Sequence, residues 1–79
     1  MEPIILGAEE EKWLDEVFRY HPVEADQVER YVAVRAAGRR MAADILLNCP
    51  KSPDRSVALR KLREAVMIAN TSIALRGIA

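Results

Sequence analysis

The sequence predicts an all-α protein in which a short N-terminal helix precedes a long antiparallel α-hairpin that oligomerises through helix packing. Apolar residues recur at helical spacing, prolines mark the helix boundaries, and no segment shows the alternation of a strand. Seventy-nine residues make a single helical-hairpin domain, residues 1–79. Because so short a chain without disulfides is marginally stable alone, we expect it to self-associate.

The first helix is predicted from Ala8 to Phe18, after a break at Gly7. Three glutamates in its first turn complement the positive end of the helix dipole. We assign residues 1–17 to an N-terminal extension and this helix. The apolar residues of the helix form one stripe, which consists of Trp13, Leu14, Val17 and Phe18.

The second helix is predicted over residues 23–48. The residue before a proline is pushed towards extended geometry, so His21-Pro22 separates this helix from the first. Pro50 cannot continue the helix and ends it. Gly38, in its middle, permits close approach of another backbone or of a ligand.

The third helix is predicted over residues 53–76, with Ser52 as N-cap, Pro53 at the first helical position and Gly77 closing its end. The short connection makes an antiparallel hairpin with the second helix. A heptad-like seam should face the second helix, and it consists of Leu59, Leu62, Val66, Ala69 and Ile73. Three apolar residues fall off this seam and are expected to be free for a partner copy, namely Ile68, Leu75 and Ile78.

The zero net charge hides a strong asymmetry along the chain. Residues 1–29 carry nine acids and two bases, whereas residues 30–79 carry ten bases and three acids. The second part therefore has a net charge of +7, which indicates contact with an anion: a phosphate ligand, a nucleic acid, or the acidic segment of a neighbouring copy.

Several classes of function lack support in the sequence. There is no Gly-rich phosphate loop and no nucleophile paired with a base, so we expect no enzyme and no cofactor. His21 is the single histidine, which excludes a histidine cluster for a metal and favours a role at the helix junction. Cys49 is the single cysteine and is expected as a buried free thiol. No signal peptide or membrane-spanning stretch is visible.

Two blocks of the sequence point to a known family. The first is Phe18-Arg19-Tyr20-His21-Pro22 with Asp26-Gln27-Val28-Glu29-Arg30-Tyr31, and the second is Cys49-Pro50-Lys51-Ser52-Pro53-Asp54 with residues 66–74. Together they resemble the small helical-hairpin proteins of bacteriophages that sequester cyclic oligonucleotide signals. These are the anti-CBASS sponges, whose hairpin domain is shared with phage antagonists of Thoeris defence. The resemblance covers residues 18–76 and implies a homohexamer in the host bacterial cytoplasm that blocks CBASS-type immunity.

The resemblance implies a cyclic dinucleotide site in which Tyr20 stacks on a base and Arg35 meets a phosphate. The residues themselves are compatible with this, since an aromatic ring on a turn offers a platform and a guanidinium matches phosphate geometry. Arg39 and Arg40 are candidate supporting cations. Two alternatives stay open: the arginines form a solvated basic face, or Tyr20 is buried between the helices.

A second site, for cyclic trinucleotides, is implied at the end of the third helix, with Asn70, Thr71 and Arg76 as its residues. Asn70, Thr71 and Ser72 are poor helix formers, which favours a ligand contact, although tight packing of small side chains is the alternative. Polar residues at the start of the second helix are expected to hold the first helix against the hairpin, and they are Asp26, Gln27, Arg30 and Tyr31.

The predicted function is therefore to bind and sequester cyclic di- and trinucleotides. The alternative is a non-enzymatic helical oligomerisation protein or a DNA-binding accessory protein of a phage. The long antiparallel helices differ from the short crossed pair of a helix-turn-helix, so we expect no binding to long nucleic acid.

Overall fold

The computed structural model describes residues 4–78, which form three α-helices and no strand. α1 covers Ala8–Phe18, α2 covers Ala25–Asn48 and α3 covers Pro53–Ala74. The predicted all-α fold with an α-hairpin is confirmed. α2 begins two residues later than predicted and α3 ends two residues earlier. Within residues 4–78, no helix is both long and apolar enough to cross a bilayer.

α2 and α3 pack on each other along the predicted seam. The seam residues of α3 are all partly buried, whereas Ile68, between them, is 70% exposed. Gly38 lies where the helices approach closely, because a Cβ atom built on it would lie 2.7 Å from Val66 Cγ2. Two carbon atoms cannot approach so closely without a shift, so the absence of a side chain at Gly38 permits this packing.

The N-terminus of α3 has the predicted cap. The backbone N–H of Arg55 donates to Ser52 Oγ at 3.1 Å, and the Ser52 hydroxyl donates to the Pro50 carbonyl at 3.0 Å. Pro53 occupies the start of the helix, where its missing N–H leaves no hydrogen bond unmade. These contacts fix the short connection that turns the chain from α2 into α3.

The C-terminus of α3 ends in a Schellman turn. The N–H of Gly77 donates to the Ser72 carbonyl at 3.1 Å, and the N–H of Arg76 donates to the Ile73 carbonyl at 3.2 Å. Arg76 takes the left-handed position with φ of 48°, and Gly77 follows with φ of 83°. The sequence predicted that glycine would close this helix, but the left-handed closing residue is an arginine, and glycine comes one residue later.

The prediction of an exposed apolar surface on α3 was wrong for Leu75. It was expected to be free for a partner copy, but it is 6% exposed and is the buried apolar residue of the described chain. Its ψ of 1° shows that it has left helical geometry. The spacing of α3 therefore no longer predicts the direction of its side chain. Ile68 and Ile78 are exposed, in agreement with the prediction.

α1 does not pack on either helix of the hairpin. Within it, the rings of Trp13 and Phe18 meet edge to face, with centroids 6.5 Å apart. His21 is at the junction as predicted, because its Nε2–H donates to the Glu16 carbonyl near the end of α1. The expectation that Asp26 and Gln27 hold α1 was wrong, since both contact α3 instead.

Most large apolar side chains of the described residues are at least partly exposed. Besides Leu75, the only residue of residues 4–78 that is buried is polar, Gln27 at 3% exposure. Cys49 was expected to be buried but is exposed. It is the C-cap of α2 with extended backbone, so its side chain leaves the helix surface that packs on α3. So little burial agrees with the expectation of self-association, which stays a prediction.

Candidate ligand-binding sites

A groove of about 300 Å³ lies between the middles of α2 and α3. Its floor is apolar and is formed chiefly by Leu59, Leu62 and Met67 of α3. Arginines from both helices line it, and we call it the basic groove, defined by Arg35, Arg39 and Arg63 over that floor. All three arginines are exposed, so a ligand from solvent can reach them.

The basic groove contains two of the three predicted cations. Arg35 and Arg39 lie one turn apart on the same face of α2. Arg40 does not line the groove, because one further residue rotates the side chain by about 100° around the helix. Arg63 was missed by the sequence analysis. Its position four residues after Leu59 and next to Leu62, both in the seam, is the signal that could have identified it.

Tyr20 lies on the connection between α1 and α2 and is 83% exposed. The alternative in which this tyrosine is buried between the helices is therefore wrong for the isolated chain. Arg35 lies ten residues after the start of α2, about 15 Å along the helix axis. The two predicted ligand contacts therefore lie on different elements, Tyr20 on the connection before α2 and Arg35 within α2.

The free ends of the hairpin are fastened by polar contacts, which we call the helix-end clamp. Arg76 pairs with Glu24 at 2.8 Å and with Asp26 at 3.0 Å and 3.2 Å. Gln27 Nε2–H donates to the Ile73 carbonyl at 3.0 Å, while Gln27 Oε1 accepts from the Glu24 N–H at 2.8 Å. The clamp therefore ties the first turn of α2 to the last turn of α3.

The clamp shifts the ionisation of its own members. The hydrogen bond from the Arg76 guanidinium, together with its charge, lowers the pKa of Asp26 below its ordinary value of 3.8. The same carboxylate raises the pKa of Arg76. Both side chains are about half exposed, so salt in solution screens the attraction between them.

The pH dependence of stability should report this contact. A carboxylate whose pKa is lowered in the folded state stabilises that state above its unfolded pKa of 3.8, and the contribution is lost as the pH falls below that value. Unfolding by urea is followed at fixed protein concentration and decreasing pH. At pH values below 3.8, the urea concentration at the unfolding midpoint should decrease more steeply with pH for the parent than for Arg76→Met. Equal pH profiles of the two proteins would contradict a stabilising role of this ion pair.

The residues predicted for the trinucleotide site are only partly brought together. A cavity of about 360 Å³ at the clamp is lined by Arg76 and Arg30, but by neither Asn70 nor Thr71. The Thr71 hydroxyl donates to the Met67 carbonyl of its own helix at 3.1 Å. Among the described residues, Asn70 Oδ1 is buried and has no hydrogen-bond partner. Arg76 already contacts two carboxylates, so a phosphate there would compete with them.

Comparison with known families identifies the hairpin. The family model described as Acb2/Tad1, hairpin domain, matches residues 9–74. The chain belongs to this family. At the family level the function is that of an anti-defence protein that sequesters cyclic nucleotides, and the domain is a binding domain. The match begins within α1, so it extends further towards the N-terminus than the motifs noted in the sequence. No curated protein and no solved structure matches the chain.

Proposed function

We propose that this protein binds and sequesters cyclic dinucleotides, with Arg35 contacting a phosphate and Tyr20 stacking on a base. The observation that carries the proposal is the placement of Arg35 and Arg39 at one apolar groove, in a member of a family of cyclic-nucleotide-binding domains. Guanidinium groups match phosphate oxygens, and the exposed ring of Tyr20 offers a face for stacking. Arg40 is proposed as a supporting cation from beside the groove.

Sequestration requires no chemical step from the protein. Binding lowers the free concentration of the signal by mass action, and a tight complex present in excess over the signal keeps its effectors inactive. We propose that this occurs in the host bacterial cytoplasm and blocks CBASS-type immunity, in line with the function of the family.

We propose that the complete site forms between copies of the chain, in a homohexamer. Tyr20 and Arg35 lie on different elements of one copy, and the basic groove holds the arginines but not the tyrosine. Two copies could supply the ring and the guanidinium to one ligand. The exposed apolar residues of the hairpin, among them Met41, Leu46 and Ile68, provide surface for such packing.

We extend the proposal to cyclic trinucleotides at the clamp end, with Asn70, Thr71 and Arg76 as contacts. Arg76 supports it, because its exposed guanidinium lines the cavity at the clamp and matches phosphate geometry. A trinucleotide phosphate must displace Glu24 or Asp26 from Arg76. We therefore expect this site to bind more weakly than the basic groove.

Titration calorimetry with cyclic di- and trinucleotides of 3′,5′ and 2′,5′ linkage tests the main proposal. Removing the ring in Tyr20→Ala should weaken dinucleotide binding about fivefold or more, because stacking contributes about 1–3 kcal/mol per base. Arg35→Ala should have a similar or larger effect through loss of a charge-assisted hydrogen bond. Tyr20→Phe, which keeps the ring, should bind like the parent, as should Arg60→Ala, whose side chain does not line the groove.

The outcomes separate the rival functions. A well-folded protein that binds none of these ligands would contradict the proposal and favour an oligomerisation module. Binding to long DNA duplexes with a steep dependence on salt would favour a DNA-binding accessory protein. Binding of trinucleotides alone would move the function to the clamp end.

A further inference from the structure

Arg63 is the third arginine of the basic groove and the one that comes from α3. α2 contributes Arg35 and Arg39 to one side, and α3 contributes Arg63, with the apolar residues Leu59 and Leu62 between them. Arginines from two helices thus converge on one apolar depression. Gly38 also lines the groove, so no side chain of α2 projects into it at that level.

The three arginines of the basic groove form no ion pair with a carboxylate of residues 4–78. The ion pairs found among residues 4–78 join Lys61 to Glu64 and Arg76 to Glu24 and Asp26, and none includes an arginine of the groove. Arg76 shows that the hairpin does pair a guanidinium with carboxylates where the contact fastens the helices. Like charges one turn apart on a helix repel each other. An uncompensated cluster therefore favours an external anion.

The chemistry of the groove selects the type of anion. A guanidinium binds a phosphate oxygen pair in a fork, and arginines from two helices can contact two phosphates at once. The apolar floor between them suits a flat base or the carbon edge of a ribose, and it strengthens the charge interactions by excluding water. A cyclic dinucleotide has this composition, with two phosphodiesters joined through sugars that carry bases.

We propose that Arg63 is a ligand-binding residue of the dinucleotide site, where it contacts a phosphate from α3 while Arg35 and Arg39 contact the ligand from α2. This inference rests on the proposed function and adds the second helix to the site. Both helices of one hairpin then contact the ligand, and a second copy completes the site.

The test compares Arg63→Gln with Lys61→Gln by titration calorimetry with the tightest-binding cyclic dinucleotide. Lys61 lies two residues away, about 160° around α3, so its variant removes one charge from the opposite face. Arg63→Gln should weaken binding at least tenfold and Lys61→Gln less than twofold, with thermal unfolding unchanged in both. Arg63→Lys, which keeps the charge but not the fork, should fall between parent and Arg63→Gln. Equal binding by the two glutamine variants would overturn the role of Arg63 and leave the proposed function intact.

A second measurement decides the case if no cyclic nucleotide binds. Inorganic pyrophosphate is added while the Nε resonances of Arg35, Arg39 and Arg63 are followed by NMR. Joint shifts of all three would support the groove as an anion site even though the proposed function had failed. If the Arg35 and Arg39 resonances shift with pyrophosphate and the Arg63 resonance does not, Arg63 is not part of the anion site and the inference is overturned.

Discussion

Gln27→Leu is expected to lower the free energy of unfolding by about 2 kcal/mol, equivalent to a fall in Tm of about 10 °C for a domain of this size. Gln27 is buried at 3% exposure, and its amide joins the Glu24 N–H to the Ile73 carbonyl. Leucine has similar volume but makes neither hydrogen bond. The tertiary bond to the Ile73 carbonyl and the capping bond from the Glu24 N–H are therefore lost together. Thermal and urea unfolding at a fixed protein concentration measure the effect.

Gln27→Glu is the matched control for the hydrogen bonds. It keeps the acceptor for the Glu24 N–H but places a carboxylate oxygen against the Ile73 carbonyl, where the parent has a donor. Burial and this repulsion should raise the pKa of the new carboxyl in the folded state. The variant should therefore regain stability relative to the parent as the pH falls through that pKa. If Gln27→Leu is as stable as the parent, the buried amide contributes nothing to the clamp.

Gly38→Ala is expected to be destabilising in the parent and stabilising when Val66 is also replaced by alanine. Alanine at a helical glycine ordinarily gains about 1 kcal/mol. Here the added Cβ would meet Val66 Cγ2 at 2.7 Å, and overpacking of this kind costs about 1–3 kcal/mol. In Val66→Ala the obstructing methyl group is absent, so the helix propensity alone remains.

A double-mutant cycle of Gly38→Ala and Val66→Ala measures this contact directly. We expect an interaction free energy of about 2 kcal/mol, from urea unfolding of the four proteins. Ala36→Gly, at an exposed position of α2, provides the control for helix propensity. It should have the same effect in the parent and in the Val66→Ala variant. If Gly38→Ala changes stability in the same direction whether residue 66 is valine or alanine, close packing at Gly38 is contradicted.

The hairpin could be predicted because its signals are local. Pro50 ends one helix, and Ser52 and Pro53 begin the next, whatever the rest of the chain does. The spacing from Leu59 to Ile73 then indicates which face of α3 meets α2. Each of these signals depends on backbone geometry within a few residues, so tertiary structure did not override them.

The features that the sequence did not predict depend on contacts between residues distant in the sequence, or on backbone outside the helices. Gln27 and Ile73 are 46 residues apart, and nothing near Gln27 shows that its partner lies in α3 rather than α1. Leu75 follows the last helical residue, where periodicity stops being informative. Arg63 is one of several basic residues in α3, and only its place beside the groove distinguishes it. Tyr20, Arg35 and the other predicted ligand contacts stay predictions until binding is measured.

The order of contacts along the hairpin also has a kinetic consequence. Facing residues near the connection are close in sequence, and their separation grows steadily to the 46 residues between Gln27 and Ile73. Each contact formed next to an existing one closes only a small additional loop, so little entropy is lost per step. We therefore expect the contacts between α2 and α3 to form first next to residues 49–52 and then progressively further from them. The contacts of Gln27 and Arg76 should form last and open first. An anion held by Arg76 would bind at the end of the hairpin that opens most often, and its residence time would be limited by that opening.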